Sequence, residues 1–321
     1  MDTPTHVQLH RGRFIIHVLP RQKIAWADLP DNSIAFDGIV NGGPLFDPIR
    51  RCVNFDHHDG VVREATMSTC MQVLFAIKGG LMSMFPPGST IHLYVNDTDQ
   101  DTSLAIFLVL ENHQFTGTKS IPAMSRLIAL TDRLDVTGGA FPMDLSDSLL
   151  GHHLWVFEHY ARSRTSGALA VADAFALTSN LEATLGRLKE FMMGDAGIAP
   201  LNKEHRILFD HPRFKIVDEI GGNDARYYLF SHGMDAFISI VARRPDGRMV
   251  MSIGRRSRYI PFPVHAIYDR FNKEEGRTRE NGFDGSDIVG GSSRLDGTGL
   301  TWEKQRDLAL EEIEKADLGL R

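Results

Sequence analysis

Three consecutive metal-ligand side chains, Asp56-His57-His58, close the apolar run Cys52-Val53-Asn54-Phe55. Imidazole and carboxylate side chains at a strand end gain nothing by packing, whereas they can converge on a hard or borderline cation such as Mn²⁺. Neighbouring side chains of an extended strand point to opposite faces, so one histidine can ligate while the other meets a substrate phosphate. Taken alone, the triplet is explained better by a solvated loop end.

Acidic residues gather elsewhere in the chain. Asn96-Asp97-Thr98-Asp99-Gln100-Asp101 separates the apolar run Ile91 to Val95 from the helix-like Thr102-Ser103-Leu104-Ala105-Ile106-Phe107-Leu108. Carboxylates at alternate positions repel one another, and a cation at this strand-to-helix junction would offset the repulsion. Helix capping competes with that explanation, because acids suit the positive N-terminal end. Asp97 and Asp99 are assigned to metal and Asp101 to capping. Asp37 interrupts the otherwise buried-looking Ile34 to Val40, where an unpaired carboxylate would cost several kcal/mol without a metal or a hydrogen-bond partner. Asp132 follows the apolar run Arg126 to Leu130, a position that by itself suits an ordinary helix end or loop.

The segments that must position these residues alternate strand and helix patterns from Ser33 to about Asp132: SIAFDGIV, CVNFDHH, STCMQVLFAIKGGLMSMF, TIHLYV and SLAIFLVLEN. That order predicts an α/β fold with a largely parallel sheet flanked by helices, and ligands beyond the carboxyl ends of its strands. Residues 151–193 show apolar residues at helical spacing. GDAGIAPLN is the best linker, dividing a domain over 1–195 from a smaller mixed α/β domain over 200–321. In the latter, FKIVDEI, ARYYLFSH and DAFISIVARRPDGRMVMSIG read as strands. The glycine-rich DIVGGSSRLDGTGLT then leads into a final helix, WEKQRDLALEEIEKADLG.

The 321 residues are 42% hydrophobic, enough for a large core, and the formal charge of −6 lacks the broad basic surface that long nucleic acid requires. A small anionic substrate remains compatible. No signal-peptide pattern and no run of about 20 apolar residues occurs, so a soluble, cytoplasmic protein without a membrane partner is expected. Two cysteines, Cys52 and Cys70, suit free thiols in a reducing compartment.

Taken together, the motifs resemble the DHH phosphoesterase superfamily, with its associated C-terminal substrate domain. Asp56-His57-His58 is the triplet, Asp97 and Asp99 resemble the aspartate pair, Asp37 the single aspartate and Asp132 the late one. The resemblance is one of parts, because here the triplet precedes the pair in the chain. Leu93 also stands where the family has a histidine, and His92 beside it points to the opposite strand face.

The resemblance implies a metal-dependent phosphohydrolase acting on a nucleotide, short oligonucleotide, pyrophosphate or polyphosphate. Two divalent ions are implied, preferably Mn²⁺, with Mg²⁺ or Co²⁺ as substitutes, and Asp37, His57, Asp97, Asp99 and Asp132 as ligands. Asp99 and His58 carry the catalytic expectation, His58 as phosphate contact or general acid. Arg255, Arg256, Gly290, Gly291 and Arg294 would hold the substrate, since glycine backbone and arginine suit phosphate. A glycine turn and a basic hairpin are the bland alternative for those segments taken singly. Leu93 favours a rival expectation, a non-catalytic nucleotide or metal binder. A homodimer is an open expectation.

Overall fold

The strands and helices that carry the acidic residues can be followed in a computed structural model that describes residues 5–58 and 60–319, so that Asp59, expected in the loop after the triplet, lies outside the described residues. The chain begins with β1 (Val7–Arg11), β2 (Phe14–Val18), β3 (Ser33–Phe36), β4 (Leu45–Asp47) and β5 (Cys52–Phe55), followed by α1 (Thr69–Lys78), β6 (Ile91–Val95), α2 (Gln100–Leu110) and α3 (Pro122–Val136). Then come α4 (Ser148–Val156), α5 (Glu158–Thr165) and α6 (Ala174–Met193). The remainder forms β7 (Arg206–His211), β8 (Phe214–Asp218), α7 (Asn223–Ser231), β9 (Ala236–Arg243), β10 (Met249–Arg255), α8 (Val264–Glu275), β11 (Asp284–Gly285), β12 (Val289–Gly291) and α9 (Trp302–Asp317).

These elements make an α/β protein with two six-stranded sheets, both mixed. The first has the order β1-β2-β6-β3-β5-β4, in which β2, β6, β3 and β5 run parallel while β1 and β4 pair antiparallel at the edges. The second has the order β11-β12-β10-β9-β8-β7, and only β8 and β9 are parallel. The expectation of a largely parallel sheet is corrected accordingly. Tight turns at Gly12 and at Arg51, both with positive φ, join neighbouring strands as antiparallel hairpins, which need no crossover helix.

Local sequence explains most of the elements. β3 and β5 are buried throughout, as short apolar runs between covered faces should be. β6 alternates, with Ile91, Leu93 and Val95 buried and His92 and Tyr94 half-buried on the other face. Helices α1 and α6 pack on one side of this sheet. On the other side Leu29, Ile39 and Val40 cover Ala35, Cys52 and Tyr94. Helix α2 is buried from Asp101 through Val109, so it is a central helix with apolar residues all round.

The chain folds into two compact units, each built from three chain segments. One comprises Met1–Val136, Asp147–Tyr160 and Ala172–Pro200; the other comprises Thr137–Ser146, Ala161–Val171 and Leu201–Arg321. In the second, α8 and α9 cover one sheet face through Ile267, Tyr268, Phe271, Leu308 and Ile313, and Leu229 and Phe230 of α7 pack with Val217 and Phe237. The segment ARYYLFSH, expected as a strand, is therefore helical. Its aromatic residues favour strands by propensity, but Ala225, Arg226, Leu229 and Phe230 are buried at helical spacing, and that packing overrides propensity. No helix among the described residues is long and apolar enough to cross a membrane.

One buried ion pair organises the second unit. Arg226 donates from Nε and Nη2 to the two carboxylate oxygens of Glu219, both at 2.8 Å, and from Nη1 to the Gly138 carbonyl at 2.8 Å. Ser239 donates to the same carboxylate, and the guanidinium lies over the Phe237 ring at 4.4 Å. Arg226→Ala would strand a fully buried carboxylate, with an expected loss of about 3–5 kcal/mol in denaturant unfolding. A loss below about 1 kcal/mol would mean that Glu219 needs no partner there.

Candidate metal centre

Parallel pairing puts the acidic motifs level with one another. β3 lies between β6 and β5, with Phe36 opposite Phe55 and Ala35 opposite Tyr94. Asp37 and Asp56 therefore leave adjacent strands at the same height, and Asp97 and Asp99 leave the third strand at the same sheet edge. Asp37 sits at φ 53 and is followed by Gly38 at φ 79, so the backbone turns through the left-handed region as it leaves β3. Aspartate tolerates that conformation better than most residues, and such an unusual backbone often marks a functional position.

His57 is the centre of the arrangement. Its Nε2 lies 2.9 Å from Asp135 Oδ2, 3.3 Å from Asp37 Oδ1 and 3.8 Å from Asp101 Oδ2. Both ring nitrogens are buried and neither has the alignment of a hydrogen bond. Two sets of ligand atoms come within 4.8 Å of one another: Asp37, His57 and His58, and His57, Asp101 and Asp135. His58 Nδ1 is 2.9 Å from Asp56 Oδ1 and 3.4 Å from Asp37 Oδ1, and its side chain is 44% exposed. Asp56 Oδ1 also accepts the backbone N–H groups of His57 and His58, which fixes the turn after β5, while Asp56 Oδ2 is buried without a partner.

The remaining carboxylates are held by helix ends. Asp99 accepts from Thr102 N at 2.9 Å and is the N-cap of α2. Asp101, buried in the first turn of α2, accepts from Thr69 N at 2.7 Å and Cys70 N at 2.8 Å, so it caps the start of α1 instead. The assignment of Asp101 to capping its own helix is thus corrected, because a cap side chain reaches the N–H three residues ahead and Asp99 occupies that position for Thr102. Asp37 accepts from Thr69 Oγ1 and Thr102 Oγ1, tying it to both helix starts. Arg63 donates to the Asp135 and Val136 carbonyls, closing the C-terminal end of α3, and reaches Asp135 Oδ2 at 3.4 Å.

Asp132 was expected here and is displaced. It lies inside α3 rather than at its end, and its carboxylate accepts from Ser68 N at 2.8 Å. Asp135, three residues further along the same helix, is the acid that meets His57. Asp97 accepts from Thr98 N and from the Tyr160 hydroxyl at 3.0 Å, and belongs to neither ligand set. Asp101, given to capping alone, and Asp56, named in the triplet without a ligand role, both belong to the site, and Asp135, Arg63 and Tyr160 join them without having been assigned to it. For Asp135 a signal existed, its one-turn spacing from Asp132; for Arg63 and Tyr160, distant in sequence, there was none.

The expected substrate contacts fare differently. Gly290 and Gly291 are residues of β12, and an added Cβ would stand 2.3 Å from the Asp284 carbonyl and 2.1 Å from the Met251 carbonyl respectively. Close strand packing requires glycine at both, so the expected phosphate-binding loop is a strand. Arg255 donates to the carbonyls of Asp287, Ile260 and Phe262, and Arg256 pairs with Asp235 at 2.8 Å. Arg294 lies exposed in the turn after β12.

Crowding shows in the proton affinities. Burial opposes the charged imidazole of His57, yet Asp135 and Asp37 outweigh it and hold the ring well above its usual range. Burial, then Asp135 and Asp37, push Asp101 up to about 6. Burial together with Asp37, Asp97, Asp135 and Asp101 raises Asp99 well above the carboxylate range. Burial would raise Asp37 too, but His58, His57 and Arg63 prevail and hold it low; His57 and Arg63 do the same for Asp135. A divalent cation suits this donor set of carboxylate oxygen with imidazole nitrogen. His57 Nε2, buried beside Asp37, Asp101 and Asp135 without an aligned hydrogen bond, is what such an ion would satisfy.

No protein-family model matches the chain, and no curated protein or solved structure does.

The sign of the pH dependence follows. Asp101, Asp99 and His57 all bind protons more tightly folded than unfolded, so each favours the folded state at low pH and loses that contribution as pH rises through its folded value. In chelator-treated protein the melting temperature should fall as pH is raised from about 5 to 8, and saturating Mn²⁺ should restore it most at the alkaline end. A melting temperature independent of both pH and Mn²⁺ would contradict the crowding.

Proposed function

We propose that the first unit is a divalent-metal-dependent phosphohydrolase acting on a small phosphorylated substrate. The observation that supports it most is the meeting of Asp37, Asp101 and Asp135 at His57, with Asp99 crowded among them. Asp37, His57, Asp101 and Asp135 would hold the cation, and Asp99 would add charge to the same field. The ion, Mn²⁺ by preference, would polarise the phosphoryl group and make water nucleophilic at neutral pH.

The chain's own residues do the rest. Asp56 fixes the Nδ1 edge of the half-exposed His58 ring. In its charged form that ring carries a second proton on Nε2, which it can hand to the leaving oxygen. The capped starts of α1 and α2 direct backbone N–H groups and positive partial charge toward the sheet edge where an anion would bind.

Leu93 supports a second reading, a metal or nucleotide binder without turnover. It is fully buried in the core and offers no donor where the resembled family has a histidine. A hydrolysis panel in Mn²⁺ buffer, covering pyrophosphate, polyphosphate, dinucleotides, 3′,5′-bisphosphate nucleotides and cyclic dinucleotides, separates the two. Turnover of at least one substrate is expected, and bound Mn²⁺ without turnover of any would favour the binder.

Two substitutions test the roles. Asp99→Asn should leave the protein folded, since asparagine caps helices as well as aspartate, and should abolish hydrolysis by removing the charge that Asp99 would gain when a bound cation displaces its proton. Retained activity would take Asp99 out of the site. His58→Gln should lower kcat by about 10²- to 10⁴-fold with little change in bound Mn²⁺; an unchanged kcat would exclude proton transfer by His58.

A further inference from the structure

The face of the first sheet opposite α1 and α6 carries histidines that the proposed chemistry does not use. His17 of β2 and His92 of β6 point to this face, and His6 precedes β1. Their rings form a row. His6 Nε2 is 3.2 Å from His17 Nδ1, and His17 Nε2 is 2.9 Å from His92 Nδ1. His17 is buried and stacks on Tyr94, ring centroids 4.3 Å apart and planes nearly parallel, so the middle ring is fixed. His6 at one end is exposed.

We infer that His6 Nε2 and His17 Nδ1 form a two-histidine site for a borderline divalent transition ion such as Zn²⁺, with His92 orienting His17. Two nitrogens bound to one tetrahedral Zn²⁺ at about 2.0–2.1 Å stand roughly 3.3 Å apart, which is the spacing seen between His6 and His17. Liganding imidazoles commonly donate their second N–H to a neighbouring acceptor, and His92 Nδ1 stands at the right distance from His17 Nε2 to accept it. His17 cannot give both nitrogens to one ion, so the row resolves into ligand, ligand and orienting residue. The exposed end leaves the other coordination positions to water or to an incoming donor.

Proton affinity agrees with the geometry. Burial, then His92, His6 and His10, lower His17 to about 4, so its ring is neutral and able to coordinate at physiological pH. Burial lowers His92 as well. The side chains that act on His17 are all imidazoles, and no carboxylate hydrogen-bonds to any of the three rings among the described residues. Imidazole sites without carboxylate select Zn²⁺, Ni²⁺ or Cu²⁺, whereas oxygen-rich sites suit Mn²⁺ and Mg²⁺. The histidine face of the sheet and the acidic centre at its strand ends would therefore sort ions by chemistry. His92 is the neighbour of Leu93, and its turn to this face is the strand alternation that removes it from the acidic centre.

Isothermal titration of the full chain with Zn²⁺ in excess Mn²⁺, at about pH 7.5 where free imidazole dominates, tests the site. One Zn²⁺ should bind beyond any at the Mn²⁺-saturated centre. His6→Gln, at an exposed position where folding is not at risk, should weaken it about tenfold or more, and His17→Phe should abolish it while keeping the stack on Tyr94. His92→Leu should weaken binding and His92→Gln, which retains an acceptor, should restore most of it. Mn²⁺-dependent behaviour should be unchanged in His6→Gln. Equal Zn²⁺ binding by wild type and His6→Gln, or no Zn²⁺ binding by the wild type, would overturn the assignment.

Discussion

Like charge crowded around a buried imidazole is the constraint on which the first unit depends. Asp37, Asp101 and Asp135 each approach His57 Nε2 within 3.8 Å, and Asp99 is raised by all three. Such a grouping persists only where positive charge offsets it. Without an ion the offset falls to the His57 imidazolium, to His58 and to Arg63, whose guanidinium also closes the end of α3. A divalent cation would take over that task and release protons as it did so.

The fold explains why these acids can be brought so close. Three adjacent parallel strands end at one level, and two of them lead directly into the triplet and the aspartate pair. Two helices begin there, and their unsatisfied N–H groups accept carboxylates as caps: Asp99 on α2, Asp101 on α1. Capping thus does part of the work of holding negative charge in place before any ion binds. The competition between capping and metal binding posed by Asp97, Asp99 and Asp101 is in this sense not a competition, because one carboxylate can cap a helix with its oxygens and still face His57.

Strand ends and the triplet were legible because short apolar runs terminating in acids are a local signal. The choice between Asp132 and Asp135 was less so, since the apolar run stops at Leu130 and only Gly138-Gly139, past Val136, mark how far α3 continues. The N-terminal hairpin of β1 and β2 is hard to read for a related reason: its strands carry His10, Arg11 and His17, which blur the apolar pattern. ARYYLFSH misled by composition. The glycines at 290 and 291 misled by type, since the same freedom that suits a phosphate loop also admits close packing of strands.

The most direct measurement is anomalous diffraction at the manganese edge from crystals equilibrated with Mn²⁺. The account predicts a peak bonded to His57 Nε2 and to carboxylate oxygens of Asp37, Asp101 or Asp135. His57 and those carboxylates found in the same places at saturating Mn²⁺, with no anomalous density between them, would contradict it.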